Sequence, residues 1–382
     1  MIVTVERVAH GGSCVGHAPD GRVVFVRHAL PGERVQVVVT EERKTYLRAD
    51  AVDVLEASPH RVAAPCSHAG PGKCGGCDWQ HATLAHQRVM KAAVVAEQLR
   101  RLAHIDREVT VEPVADNVDG LHWRTRMRFV VDDEGRLGLR RQRSHEIEPI
   151  SDCLISAPAI DVPELLGRDW PAHAEVTVDV SNTGQRAVAI GRHPDTLVER
   201  AVDRDWQVPI GGFWQVHVGA ADTLADAVLS MAGPRAGERA LDLYSGVGLF
   251  AGALAAAGAT VTAVESDRRA VLAAQSNLAD LDATVVGQRV DRYLDRSPGR
   301  VDIVVLDPPR RGAGQEVVQQ VASLRPRIVV YVACDPSALA RDTAALSARG
   351  YLLDDLRAFD LFPMTAHVEC VAGFVPSWAQ RG

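Results

Sequence analysis

No stretch of this chain is long and apolar enough to span a bilayer, and the N-terminus, MIVTVERVAH, lacks a signal-like apolar core. The expectation is a cytoplasmic protein with no membrane partner. An excess of positive charge is also missing. The formal balance is −7, which argues against indiscriminate nucleic-acid binding but leaves room for a local basic face. An even set of cysteines is missing too. Seven cysteines in 382 residues, in a compartment that keeps thiols reduced, argue against a disulfide framework. Clustered cysteines then suggest metal binding, and a lone one in a polar motif suggests catalysis. What is present is ordinary for a globular protein: 47% hydrophobic and 24% charged residues. The length calls for two or three domains.

Residues 1–57 read as a small β-barrel. Val3–Val8, Val23–Arg27, Val35–Thr40 and Arg48–Leu55 are rich in β-branched residues, and Gly11-Gly12, Asp20-Gly21 and Pro31-Gly32 separate them. Residues 58–205 read as a mostly β central domain that begins with a cysteine loop. One amphipathic helix interrupts it over 81–104, where Leu84, Val89, Ala92, Val95, Leu99 and Leu102 share a face and Arg88, Lys91 and Arg100 point outward. Arg124, Arg126 and Arg128 alternate along a strand and so share one face, a strip of guanidinium groups suited to RNA phosphates. The competing reading is a salt-bridged edge strand, helped by Asp132, Asp133 and Glu134.

From residue 206 the pattern changes to short apolar runs alternating with Ala-rich helices. Ala240–Tyr244, Thr260–Glu265, Asp302–Leu306 and Ile328–Cys334 read as buried parallel strands of a doubly wound, Rossmann-like α/β domain over 206–382. Tyr244-Ser245-Gly246-Val247-Gly248 forms a glycine turn at a strand end, and Glu265 ends the next strand, where it can accept bonds from two ribose hydroxyls. That pair fits a nicotinamide dehydrogenase almost as well as a methyltransferase. Asp307-Pro308-Pro309-Arg310 discriminates: a dehydrogenase has no need of this stiff turn, whereas enzymes that methylate nucleobases resemble it. Cys334 ends the next strand and meets a polar Asp-Pro turn. Glu369 enters a further strand near the C-terminus. A core thiol and a structural ion pair are the plain alternatives for these two. Cys66, Cys74 and Cys77, with Cys153 as a fourth ligand, suit structural zinc or an iron–sulfur cluster equally by spacing.

Together, FWQVH, DLYSGVG, LDPPR, YVACDPSALARD and FPMTAHVE resemble the RNA uracil-C5 methyltransferase family over nearly the whole chain, and residues 1–57 resemble the TRAM barrel that some members carry. The resemblance implies an S-adenosylmethionine-dependent enzyme with Cys334 as covalent nucleophile and Glu369 as the base that removes the C5 proton. It implies that Gln215, Tyr244, Gly246, Glu265 and Asp307 hold the cofactor. It further implies that Arg310 contacts the target base and that CGGCDWQH with Cys153 holds a structural [4Fe–4S] cluster. The implied partner is structured RNA, with ribosomal RNA favoured over transfer RNA, and a monomer is expected. Members often carry Asn where this chain has Leu249, and the family's Cys-Gly is Ser245-Gly246 here. The alternatives are a methyltransferase acting on another base or a small molecule, and a non-catalytic RNA-binding protein.

Overall fold

The computed structural model describes residues 1–114, 119–296 and 299–378. Within these it divides into two compact units. The first takes residues 1–94, 117–178 and 362–367; the second takes 95–116, 179–361 and 368–382.

In the first unit, Ile2–Val8, Cys14–His17, Val23–Arg27, Arg34–Glu42 and Tyr46–Glu56 close into a five-stranded barrel. The alternation in VVFVR sends Val24 and Val26 inward, fully buried, and leaves Phe25 on the outer face. Each buried valine contributes roughly 1.5–3 kcal/mol, so the inner row of Val3, Val5, Val24, Val26, Val35 and Val37 dominates over any surface pair. The sequence reading missed the strand Cys14–His17. A Cβ at Gly16 would lie 2.5 Å from the Thr4 carbonyl oxygen, so no side chain fits there, and Val15 alone is too little β-branched signal to mark this short strand.

The helix predicted over 81–104 is α-helical over Leu84–Gln98 and closes with a wider turn, Leu99–Ala103. Lys91 points inward, not outward: it is fully buried, and its Nζ donates to the Phe362 carbonyl at 2.9 Å. Val89 faces solvent instead. Beyond the helix, Glu175–Val180, Arg126–Val131, Leu137–Arg140 and Ile147–Pro149 lie side by side in a sheet.

The second unit is built on an eight-stranded sheet. From one edge its strands are Ala283–Gly287, Thr260–Glu265, Arg239–Leu243, Ile303–Leu306, Ile328–Ala333, Glu369–Pro376, Tyr351–Asp360 and Val111–Pro113. The first five are parallel, and Ile303–Leu306 and Ile328–Ala333 are buried at every position, as a strand covered by helices on both faces must be. Glu369–Pro376 runs antiparallel to its neighbours on both sides. No helix among the described residues is long and apolar enough to cross a membrane.

Candidate active site

The carboxyl ends of the parallel strands form the ligand-facing rim of such a sheet. Leu243 pairs with Val264 on one side and with Leu306 on the other. Tyr244, Glu265 and Asp307 therefore follow at the same rim. Leu306 pairs with Tyr331, so Asp307 is level with Val332 and Cys334 lies two residues farther out. The antiparallel neighbour supplies Glu369 from its amino end. Ala333 pairs with Cys370, so Cys334 and Glu369 occupy the next rung.

Tyr244 has φ +66°, a strained value for a side chain of that size. Its N–H and that of Ser245 both donate to the Val264 carbonyl, at 3.0 and 3.1 Å, which holds the turn in place. Gly246 also has positive φ, and a Cβ added there would meet open space. The Glu265 carboxylate accepts from the N–H groups of Gly246 (3.0 Å) and Asp267 (2.7 Å). Ser245 Oγ and one oxygen of Asp242 are buried at this turn without a partner among the described residues. A glycine cradle, a carboxylate and orphaned polar atoms together fit a nucleoside-bearing cofactor. Leu249, where family members often carry Asn, is buried at the start of the following helix.

The acid groups interact across the rim. Burial pushes the Asp307 carboxyl up to about 7. It pushes Asp242 up to about 8, helped by the charges of Asp307 and Glu265 and opposed by the Ala251 N–H. Glu369 is buried and held well above the carboxylate range by desolvation, with Asp307 adding to the effect and Arg310 opposing it. The Cys334 thiol is pushed up to about 12 by burial and by Glu369 and Asp307; Arg310 again opposes. Cys334, Glu369, Asp307 and Arg310 thus form one electrostatic group. Gln215 is buried in the same unit, on the segment preceding the helix Ala220–Ala232.

Asp342 was not foreseen as part of this site. It sits on the Ala-rich helix Pro336–Ser347, where an inward-facing carboxylate was the available signal. It accepts from Tyr331 Oη at 2.6 Å, Ala313 N–H at 2.8 Å and Gly314 N–H at 3.3 Å. This clamp closes the loop that begins at Asp307 and carries Arg310.

The first unit holds the cysteine loop. Cys66, Cys74, Cys77 and Cys153 line one cavity of about 300 Å³, together with Arg124 and Arg128. Burial pushes Cys77 up to about 12 and Cys153 up to about 11, and the neighbouring thiols add to both shifts. Among the described residues, no three His, Cys, Asp or Glu side chains converge tightly enough to hold a single metal ion. The predicted strip of three arginines on one open face does not form. Arg126 is buried while Arg128 is exposed. Arg124 and Arg128 line the cavity of the four cysteines, and Arg124 opposes the raised proton affinity of Cys74 and Cys153.

The same loop grips the segment Phe362–His367, which leads to Glu369. The N–H groups of Asp78 and Trp79 both donate to the Met364 carbonyl at 2.9 Å, and Met364 N–H donates to Gln87 Oε1 at 2.8 Å. Ala366 N–H donates to Asp78 at 3.0 Å. These bonds hold Met364 at φ +67°.

A glycine turn, a carboxylate at the end of the next strand and an Asp-Pro-Pro loop on a doubly wound sheet fit an S-adenosylmethionine-dependent methyltransferase fold. Comparison with known proteins agrees. Residues 1–52 match the TRAM domain family, and residues 221–347 match the family described as conserved hypothetical protein 95. An uncharacterized RNA methyltransferase of Streptomyces coelicolor is 47% identical over 98% of this chain and 92% of its own length. One from Bifidobacterium longum is 38% identical over 97% and 96%. The chain belongs to this family of RNA methyltransferases. In fold it is similar to the Pyrococcus abyssi tRNA (uracil-54, C5)-methyltransferase solved with S-adenosyl-L-homocysteine, with a TM-score of 0.75 and 24% identity over 98% of this chain and all of that one.

Proposed function

We propose that the chain methylates C5 of a uridine in structured RNA through a covalent adduct at Cys334. The observation that carries this reading is a thiol and a buried carboxylate on adjoining strands at one rung, beside Asp307 and Arg310. Methylation of a nucleophilic nitrogen or oxygen has no use for that pair.

C5 of uracil is too weak a nucleophile to attack a sulfonium methyl unaided. The Cys334 thiolate adds to C6, and the electrons of the C5–C6 bond pass toward O4, which leaves C5 nucleophilic. S-adenosylmethionine supplies the electrophilic methyl when bound. The Glu369 carboxylate then takes the C5 proton, the C5–C6 double bond re-forms, and the sulfur leaves as thiolate. Burial strengthens Glu369 as a base once it is ionised. Arg310 favours the ionised form of both groups. Gln215, Tyr244, Gly246, Glu265 and Asp307 hold the cofactor, and Arg310 contacts the target base. The base must leave its stack to reach this rim, which suits a loop or bulge.

The four cysteines spread around a cavity suit a [4Fe–4S] cluster better than one zinc ion, which needs four ligands within about 2.3 Å. When bound, the cluster would act as a structural cross-link, since methyl transfer needs no electron. The division we propose is a barrel over 1–57, a central RNA-binding domain over 58–205 and a methyltransferase domain over 206–382. The barrel and cysteine loop favour ribosomal RNA; the fold neighbour's action on transfer RNA supports the second choice.

The decisive test is Glu369→Gln. With RNA and S-adenosylmethionine it should accumulate a protein–RNA adduct that survives denaturation, because the methylated base keeps its C5 proton. If no adduct forms although the variant binds the cofactor, the reading fails. Mass spectrometry of ribosomal and transfer RNA from cells lacking the protein identifies the substrate.

A further inference from the structure

No hydrogen bond among the described residues reaches the Glu369 carboxylate. What acts on it is burial, with the charges of Asp307 and Arg310. A base without hydrogen bonds of its own takes its position from the backbone that carries it. On the C-terminal side that backbone is a strand: Glu369 pairs with Phe359, and Cys370 pairs with Ala333. On the N-terminal side the chain is Phe362–His367, which forms turns and bends and belongs to the first unit. Only Val368 separates it from Glu369. No sheet holds this segment, so its geometry depends on side chains from elsewhere in that unit.

Three side chains supply it. Gln87 is fully buried; its Oε1 accepts from Met364 N–H at 2.8 Å, and its Nε2 donates to the carbonyls of Trp79 at 3.0 Å and Ala82 at 2.9 Å. One amide thus ties three backbone points together. Lys91 follows on the same helix face, four residues on, and its Nζ donates to the Phe362 carbonyl at 2.9 Å. Asp78 accepts from Ala366 N–H at 3.0 Å and is itself paired with Arg27. Met364 is buried at φ +67°, a conformation that persists only where the surroundings over-determine it. A Cβ at Gly120 would lie 3.1 Å from Pro363 and 3.2 Å from Met364, so packing leaves the turn no slack. Burying an amide and an ammonium costs free energy that an apolar pair would not. What the polar pair adds is direction, through fixed distances to particular backbone atoms.

We propose that Gln87, Lys91 and Asp78 are positioning residues for Glu369: they fix the turn before it so that its carboxylate meets the C5 proton. The proposal rests on the uridine-C5 reading, with Glu369 as the base. That chemistry gives the clamp a specific signature. Addition of Cys334 to C6 and transfer of the methyl group both precede the work of Glu369. Only the last step needs it: the carboxylate takes the C5 proton, the C5–H electrons form the C5–C6 double bond, and the C6–S bond breaks with sulfur leaving as thiolate. A loosened turn therefore lets the methylated adduct form normally and persist.

The test is a single-turnover time course with the full chain in excess over total RNA from cells lacking the protein, using S-adenosylmethionine labelled in its methyl group. Denaturing gels separate label on the protein–RNA adduct from label on free RNA. In Gln87→Met the label should reach the adduct as fast as in the parent and leave it about 10- to 100-fold more slowly, the upper figure being the scale of a 1 Å misplacement. Lys91→Met should behave alike. Rate constants do not depend on the folded fraction, so partial unfolding of either variant leaves the comparison intact. Val89→Gly, on the exposed face of the same helix, weakens the helix without touching the clamp and should release the adduct at the parent rate. Equal slowing in Val89→Gly overturns the proposal. An adduct that lingers in Glu369→Gln but decays at the parent rate in both Gln87→Met and Lys91→Met overturns the clamp and leaves the base standing. No adduct in Glu369→Gln overturns both.

Discussion

Cys334 and Cys77 are both pushed up to about 12 by burial, yet their surroundings differ in kind. Cys334 stands among carboxylates, with Glu369 and Asp307 raising its proton affinity and Arg310 lowering it. Cys77 stands among thiols, with Cys153, Cys74 and Cys66 all raising it. Under the proposed function, a thiol that shares a site with a buried carboxylate and a cation is arranged for one covalent event. Thiols that crowd one another are arranged to share a ligand. Burial alone separates neither case from an inert core cysteine; the company does.

That contrast breaks if the two residues exchange phenotypes. Cys334→Ala should lose turnover by roughly 10⁴-fold or more, as removal of a covalent nucleophile does, and should form no adduct while keeping any bound iron. Under the proposed cluster reading, Cys77→Ala should lose iron and melt earlier. Its remaining folded fraction should still form adducts, because Cys77 is not among the groups that act on Cys334. Iron content, melting temperature and denaturing gels check all three points. Loss of iron in Cys334→Ala would mean that the two cysteine environments are not separate.

A finer contrast lies within the rim, between the groups we propose touch the reacting base and Asp342, which holds the loop carrying Arg310. Asp342→Asn keeps the side chain's shape but offers an amide in place of one carboxylate oxygen to the N–H groups of Ala313 and Gly314. We expect kcat to fall about tenfold, the scale of one lost charge-assisted bond, with the KM for S-adenosylmethionine unchanged. Tyr331→Phe removes one of the three bonds and should fall less. A rise in KM with kcat intact would place Asp342 in cofactor binding instead.

The rim was legible because its residues sit at strand ends inside apolar runs, where a polar residue stands out. Asp307 after Ile303–Leu306 and Cys334 after Ile328–Ala333 needed only the strands to be recognised. What local pattern could not give was register. Glu369 joins Cys334 only through an antiparallel strand inserted beside a parallel one. The edge strand Val111–Pro113 pairs with Ala358–Asp360, some 250 residues later in the chain. The arginines misled for the same reason: alternation predicts a shared face, but the burial of Arg126, and the cavity that Arg124 and Arg128 share with the cysteines, depend on contacts distant in sequence. Lys91 misled because a long side chain on a polar-looking helix position can still reach a buried carbonyl.

The smallest effect concerns Asp242, buried beneath the glycine turn and raised to about 8. A carboxyl whose folded pKa lies above its unfolded value of 3.8 favours the folded state most when protonated. Its contribution is complete below about pH 4 and is lost as pH rises through about 8. Asp307, raised to about 7, adds a loss of the same sign. Stability should therefore fall between pH 5 and 8 more steeply than surface carboxylates would allow. Asp242→Asn is neutral at every pH, so its denaturation midpoint should decline less across that range. At pH 5 it should start about 1–3 kcal/mol lower, because the new amide hydrogens find no acceptor where the unpartnered oxygen now sits. The slope, not the starting value, is diagnostic. If Asp242→Asn declines as steeply as the parent, Asp242 is already ionised in the folded protein, and the rim carries one more negative charge than its burial indicates.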